Sequence, residues 1–335
     1  MKKEITIKDI AKQAGVSIAT VSKVINNQGR IGEETRKKIG KIIEENHYSP
    51  NRIAVSMIKK TSNMIVVMVP DIFTKFYAEI IQGAENTCKA RGYSVLVYAT
   101  NAELKEEYSF FDNPFIKSAD GILCIPSFND AALYQRYKKP LVLVDRYIDN
   151  CLIDGIRVDN FGGAYQLTNH LIKRGHNRVA FVSGPLTMNV GRDRLNGYRQ
   201  AMMDAKLDPD RDLYLKDWYE QDGVQAMQEI AAKGWEGSIG IVTGNSNICI
   251  GVLSALQEMG LELQSMPEIV CFDDCEIARY AKITVLNRSN IEMGEMAAGM
   301  LLDKIEKINP CPVPQVITIP LRLVTREKKT DETKN

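Results

Sequence analysis

The chain has 335 residues, 44% of them hydrophobic and 25% charged, with 43 Lys/Arg against 42 Asp/Glu. That is the profile of a soluble globular protein long enough for two or three domains. No apolar run approaches the roughly 20 residues that span a bilayer, and the opening MKKEITIKDIAKQ lacks the apolar stretch of a secretory signal, so a cytoplasmic protein with no membrane partner is expected.

The charge is unevenly placed. Residues 1–60 hold 13 Lys/Arg against 6 Asp/Glu, and the remainder holds 30 against 36. A basic head on a mildly acidic body confines contact with a polyanion to the head. Seven cysteines are spread singly from Cys88 to Cys311, an odd number without framework spacing, which fits reduced thiols. Cys271 and Cys275 are the closest pair, and none of the three histidines (His47, His170, His176) is near them in sequence. No metal centre and no cofactor is therefore expected.

In the head, Ile7, Ile10, Ala11 and Ala14 recur at helical spacing and predict a first helix with one buried face. Gly15 breaks it, Val16 turns inward, and Ser17 can cap a second helix. There Val21, Val24 and Ile25 point inward, while Ile18, Ala19, Ser22, Lys23 and Asn26 share the outer face. A third pattern, GEETRKKIGKIIEEN, buries Ile39, Ile42 and Ile43. Three short helices with a tight turn between the first two make a helix-turn-helix. Ser22, Lys23 and Asn26 can bond bases or phosphates, and Ile18 and Ala19 can touch a thymine methyl. Thr6, Thr35, Arg36 and Lys37 stand at helix ends, where phosphate contacts arise. A plain three-helix bundle with a solvated basic face would carry the same pattern.

The segment HYSPNRIAVSMIKKTSN follows, with Pro50 suited to the first turn of a short helix capped by Ser49. TIKDIAKQAGVSIATVSKVINN, EETRKKI and HYSPNRIA together resemble the lactose-repressor (LacI/GalR) family of bacterial transcription regulators. The resemblance implies that the segment after Pro50 is a hinge helix that folds on the operator and inserts an apolar wedge into the minor groove. The wedge position is Met57, where the family usually has leucine, and the familiar hinge arginine is Val55 here. With Ser17 and Thr20 in the head and Arg52 and Ala54 in the hinge, these residues complete the expected DNA-contacting set.

From Met64 onward short apolar runs alternate with helical patterns: MIVVMVPD, YSVLVYAT, DGILCIPS, PLVLVDR, RVAFVSGP, IGIVTGN and EIVCFDD. Strands alternating with helices predict parallel sheets covered on both faces, in two halves dividing near residue 160. Polar residues gather after the strands, at Asp71, Ser127, Asp145, Arg146, Asn160, Asn245 and Asp273. Ligands bind at the carboxyl ends of such strands. Two facing sheets would form a cleft for a small polar solute.

The same family resemblance continues through PLVLVDR, VDNFGGAYQLTNHLIKRGHNRVAFVSGP, RDRLNGYRQAM and FDD. It implies a core like the periplasmic sugar-binding fold, with effector positions at Asp145, Arg146, Asn160, Arg194, Asn245 and Asp273. Arg194 is the expected anchor for a hydroxyl pair or carboxylate, Trp218 stands where some members stack an aromatic ring on the sugar, and Phe161 and Phe76 are expected cleft walls. Arg288 stands where glutamine is common. Asn245-Ser246 replaces the usual Asn-Asp, Cys271 replaces a glycine, and the loop after Asp71 reads IFTKFY; these departures leave the effector open. His170 and His176 read as structural.

The expected architecture is thus an all-α helix-turn-helix domain (1–48), a hinge helix and linker (49–60), and an α/β periplasmic-binding-protein-like core (61–335). The core divides into an N-subdomain (61–159 and 290–318), a C-subdomain (160–289 and 319–327) and a disordered tail (328–335). The expected function is a homodimeric, sequence-specific repressor of a near-palindromic double-stranded DNA operator, controlled by a small effector such as a sugar. A sugar-acting α/β enzyme is the rival, although no Walker loop, GxGxxG or GxSxG motif occurs and no catalytic residue is nominated. An exported solute-binding protein would not need the basic head. Control by a protein partner instead of a small effector stays open.

Overall fold

A computed structural model of the chain describes residues 5–25, 29–46, 61–234, 239–262, 265–308 and 311–326. The chain divides into two compact units, Met1–Ser62 and Asn63–Asn335. The expected hinge helix, with Arg52, Ala54 and Met57, and also Asn26 and the tail, lie outside the described residues.

The first unit contains α1 (Ile7–Ala14), α2 (Ile18–Ile25) and α3 (Glu33–Glu45). Thr6 caps α1 in a reciprocal capping box with Asp9, so two otherwise orphaned amides are bonded. Gly15 ends the helix at φ 70°, a left-handed conformation that a Cβ would strain. Ser17 Oγ then accepts from the Thr20 amide at 3.1 Å and starts α2. Ile10, Ala11, Ala14, Val21 and Ile39 form the buried centre, with Val16, Val24, Ile25, Ile42 and Ile43 packed round it. The arrangement is a helix-turn-helix with a third supporting helix.

In the second unit the order is β1 (Met64–Val69), α4 (Lys75–Ala90), β2 (Ser94–Ala99), α5 (Leu104–Asp112), α6 (Pro114–Ser118), β3 (Gly121–Cys124), α7 (Ala131–Gln135), β4 (Leu141–Val144) and β5 (Asp154–Val158). Next come α8 (Asn160–Lys173), β6 (Arg178–Ser183), α9 (Asn189–Asp204), β7 (Leu213–Leu215), α10 (Glu220–Ala232), β8 (Ile239–Thr243), α11 (Ser246–Glu258), β9 (Glu268–Cys271), α12 (Glu276–Tyr280) and β10 (Thr284–Asn287). Last are α13 (Asn290–Ile305), β11 (Val316–Ile319) and β12 (Arg322–Val324).

One sheet runs β11-β5-β4-β3-β1-β2 and is wholly parallel. The other runs β12-β10-β9-β8-β6-β7, parallel except where β12 opposes β10. The central strands β3, β4 and β8 are buried at every residue, which is why they read as continuous apolar runs. The chain passes between the sheets after β5, after β10 and between β11 and β12.

Close helix packing braces this unit. A Cβ on Gly83 of α4 would lie 2.0 Å from the Ile291 carbonyl oxygen, and one on Gly294 of α13 would lie 2.1 Å from that of Ile80. The two helices therefore touch backbone to backbone, a contact that any larger residue would force apart. Outside the cleft, Glu268 at the start of β9 has His176 Nε2 at 2.8 Å, Arg174 Nε at 2.5 Å and His170 Nε2 at 3.8 Å. Both histidines tie α8 and its following turn to β9. All seven cysteines are free thiols.

Candidate functional site

In the helical unit, Ile18, Ala19 and Lys23 are exposed on α2, and Ser22 and Thr20 are half-buried beside them. Ile18 keeps 44% of its surface in contact with solvent although it is a large apolar residue. Ser17 and Thr20 hydroxyls lie 2.9 Å apart at the start of the helix. Thr6 bonds Asp9 through both its amide and its hydroxyl, so its first role is the cap. The α2 face thus carries a basic, small-residue surface whose apolar members have nothing of this unit to cover them.

In the α/β unit the carboxyl ends of both sheets converge on a cleft of about 730 Å³. Phe76, Asp145, Arg146, Arg194, Trp218, Asn245, Asp273 and Arg288 all line it, as does Asp71 after β1. These side chains come from α4, the turns after β4, β7, β8, β9 and β10, and the interior of α9. Parallel topology brings them together because every strand of either sheet interior ends at the same edge.

Arg194 is 3% exposed. Its Nε donates to Asn160 Oδ1 at 2.9 Å and its Nη1 to the Gly244 carbonyl. Its guanidinium lies 3.6 Å from the Phe272 ring centre and 5.6 Å from that of Trp218. Burial lowers its pKa to about 10, partly offset by the charges of Asp273 and Asp145, so it stays cationic at neutral pH. Nη2 has no protein acceptor among the described residues. Two nitrogens fix the plane of the group, and the side chain lines the cleft.

Asp145 sits at φ 65° after β4, with its Oδ1 buried and unbonded. Left-handed backbone at a residue with a Cβ costs energy and is concentrated at functional sites. Its neighbour Arg146 donates to the Pro126 carbonyl (2.8 Å) and to Tyr77 Oη (3.1 Å), and leaves Nε buried without an acceptor. Burial pushes the Tyr77 hydroxyl up to about 12 despite Arg146, so it remains a neutral donor and acceptor. Behind them Glu107 accepts from Tyr134 and from the Ser127 amide at 3.0 Å. Burial raises the Glu107 pKa although these bonds oppose the change. Ser127 Oγ is likewise buried and unbonded. Such groups cost about 1–3 kcal/mol each when left without a partner.

Two residues occupy places other than those anticipated, and a third is already engaged. Asn160 is 3% exposed and does not line the cleft; it stands behind Arg194 and orients it. Phe161, one position on at the start of α8, is turned outward at 44% exposure and is not a cleft wall. Asn245 does line the cleft, but its carboxamide is already engaged. It caps α11 through Ile248 N–H (2.8 Å) and donates to the Trp218 carbonyl (3.0 Å). Trp218 itself rests on Gly184, where a Cβ would fall 2.0 Å from the indole. Cleft residues not nominated from sequence include Tyr77, Phe128, Thr187 and Met188. Phe128 follows β3, so strand-end position was a signal for it; Thr187 and Met188 offered none.

Comparison with known proteins bears on both units. The family model for bacterial regulatory proteins of the lacI family matches residues 6–51, and that for the periplasmic binding protein-like domain matches residues 168–327. The HTH-type transcriptional repressor PurR of Escherichia coli O1:K1 is 31% identical over 334 residues, covering 97% of each chain. The chain belongs to the LacI family. Like other LacI-family members it is a DNA-binding regulator of transcription and not an enzyme. A transcriptional regulator CelR–cellobiose complex superposes with a TM-score of 0.72 at 26% identity, over 96% of this chain and 99% of that one. The lac repressor dimer bound to operator and the anti-inducer ONPF shares the fold, with a TM-score of 0.85 at 23% identity over 97% and 98% of the two chains. This LacI-family chain therefore pairs a helix-turn-helix with an α/β core whose polar residues meet in one cleft. Among its described residues no helix is long and apolar enough to cross a membrane.

Proposed function

We propose that the chain is a cytoplasmic, homodimeric repressor whose affinity for a near-palindromic operator is set by a polyhydroxylated effector, a sugar or sugar derivative, in the 730 Å³ cleft. Two copies present two α2 helices, and the two-fold axis of the dimer is mirrored in the operator half-sites. Ile18, Ala19, Ser22, Lys23 and Asn26 read the major groove, with Thr6, Ser17 and Thr20 at the phosphates. Arg52, Ala54 and Met57 engage the minor groove from the hinge. In this reading residues 1–48 bind DNA, 49–60 form the hinge, and 61–335 bind the effector and dimerise.

The observation that carries the effector reading is the convergence of buried, unbonded polar atoms on the cleft: Asp145 Oδ1, Arg146 Nε and Ser127 Oγ, beside the oriented Arg194. Hydroxyl groups both donate and accept, so vicinal hydroxyls can answer acceptors and donors set side by side. Phe76 and Trp218 supply apolar surface for a ring face. The relative CelR has cellobiose in its complex. Effector binding shifts the relation of the two sheet halves and, through it, operator affinity, by a coupling of about 1–3 kcal/mol.

The test is a selection of the purified protein on random duplex DNA, with and without pooled sugars. A two-fold symmetric motif whose recovery changes with one pool is the expected result. No motif under any condition would end the operator reading, and a motif indifferent to every pool would remove the sugar effector.

A further inference from the structure

Next to the main cleft lies a second cavity of about 160 Å³. The two share Phe76, Ser246, Asp273 and Arg288 as a common wall. The Arg288 side chain is only 4% exposed. Its guanidinium lies 4.7 Å from the Phe76 ring centre, and its Nη2 is 3.0 Å from Asp273 Oδ1. Its Nε and Nη1 are buried and have no hydrogen-bond acceptor among the described residues. A buried guanidinium with two unused donors is costly unless an anion or strong acceptor meets it.

The cavity is also where α13 begins. Ser289 caps that 16-residue helix, its Oγ accepting from the Glu292 amide at 3.2 Å, and Asn290 and Ile291 supply its first turn and part of the cavity wall. The first amides of a helix have no intrahelical acceptor and carry the positive end of the helix dipole. Each carboxylate of the wall has a cationic or amide partner. Asp274 accepts from Arg326 at 2.8 Å and Arg279 at 3.5 Å, Glu79 from Asn290 at 2.8 Å, and Asp273 faces Arg288. Without hydrogen-bond partners are two guanidinium nitrogens, with Asn290 Oδ1 and the ion-paired Asp273 Oδ1 as buried acceptors beside them, and the helix N-terminus adds further donors.

We propose that this small cavity is an oxyanion subsite, taking a carboxylate or phosphate on Arg288 and the start of α13, with a neighbouring hydroxyl donating to Asn290 Oδ1. An apolar cavity near 150 Å³ holds a benzene-sized ligand, so 160 Å³ accommodates a phosphoryl or carboxyl group with part of its carrier. The inference rests on the effector reading of the adjoining cleft. Through the shared wall, an effector with its ring in the large cavity extends its anionic group past Phe76 to the smaller one.

The experiment measures thermal midpoints of the full chain in phosphate against chloride at matched ionic strength, for the wild type, Arg288→Gln and Arg288→Lys. Phosphate is expected to stabilise the wild type, with affinity falling at least tenfold in Arg288→Gln and less in Arg288→Lys, which keeps the charge beside Asp273. No phosphate response in the wild type, or an equal one in all three proteins, overturns the subsite. Glucose, glucose 6-phosphate and glucuronate then separate the sources. Tighter binding of an anionic sugar than of inorganic phosphate assigns the anion to the effector, and phosphate binding alone assigns it to a free co-ligand; both retain the subsite. An operator response to a sugar, with no phosphate response in the wild type, removes the anion site but keeps the effector cleft. Phosphate binding lost in Arg288→Gln, without an operator response to any sugar, does the reverse.

Discussion

The α2 face and the cleft of the α/β unit handle polar groups in opposite ways. On α2 the candidate contacts are near neighbours in sequence, from Ser17 to Lys23, and they stand in solvent or bond one another. In the cleft they come from positions as far apart as Phe76 and Arg288, and the most important are buried and held by protein partners on one side. A duplex brings its own charges and hydrogen-bonding edges to a flat surface, so its reader must stay hydrated until contact. A small solute has little area to offer. Its site must exclude water and fix its donors in advance, or binding would be lost to reorganisation.

Substitution at the contact of α4 with α13 should act most strongly, and on the α/β unit alone. Gly83→Val drives a side chain into the Ile291 backbone, and the core should lose about 3 kcal/mol of stability. Urea unfolding followed by tryptophan fluorescence reports it, since both tryptophans lie within residues 63–335. A shift below a few tenths of that amount would show that α4 and α13 separate easily. Arg194→Ala should weaken effector binding by about a hundredfold, or roughly 2.7 kcal/mol, while operator affinity without effector changes little. Calorimetry on the identified effector checks this, and unaltered affinity would make Arg194 purely structural.

Lys23→Ala sharpens the other side of the comparison. It should cost about tenfold in operator affinity and lower the salt slope by about 1, with effector binding the same. Fluorescence anisotropy over a range of salt gives both numbers, and an unaltered slope would take Lys23 off the phosphates. The smallest effect concerns pH. Burial lowers the His170 pKa from its usual 6.5, opposed by Glu268. Below pH 6.5 the unfolded chain therefore takes up a proton that the folded chain resists, and stability falls as the pH drops through that value. His170→Gln should flatten the slope of the unfolding midpoint near pH 6; an identical slope would assign it to other groups.

Much of this contrast was legible in the chain itself, for physical reasons that differ between its parts. Helices α1 to α3 are set by local periodicity and by caps at Thr6 and Ser17 that act within four residues. Strands β3, β4 and β8 announce themselves as apolar runs because both faces are covered. Strand-end position also found Asp145, Arg146 and Asp273. The family resemblance placed Phe161 at the cleft wall, but one residue along a helix turns the side chain by about 100°, leaving Asn160 buried behind Arg194 and Phe161 outside. Asn245 lines the cleft as well, while its carboxamide also caps the helix that follows. The Tyr77–Arg146 bond, the Phe76–Arg288 contact and the seating of Trp218 on Gly184 depend on how α4 and the strand-end loops pack, and nothing local in the sequence encodes them.

In the proposed function these two differently built regions act as one switch. Measuring the affinity of the identified effector with and without the selected operator duplex tests that coupling. Linkage requires the operator to change effector affinity by the same factor by which the effector changes operator affinity, and a coupling of about 1–3 kcal/mol makes that factor about 5 to 150. A matched factor in that range is the result this account predicts. Equal effector affinity in the presence and absence of operator would contradict it, leaving a DNA reader and a solute cleft that do not communicate.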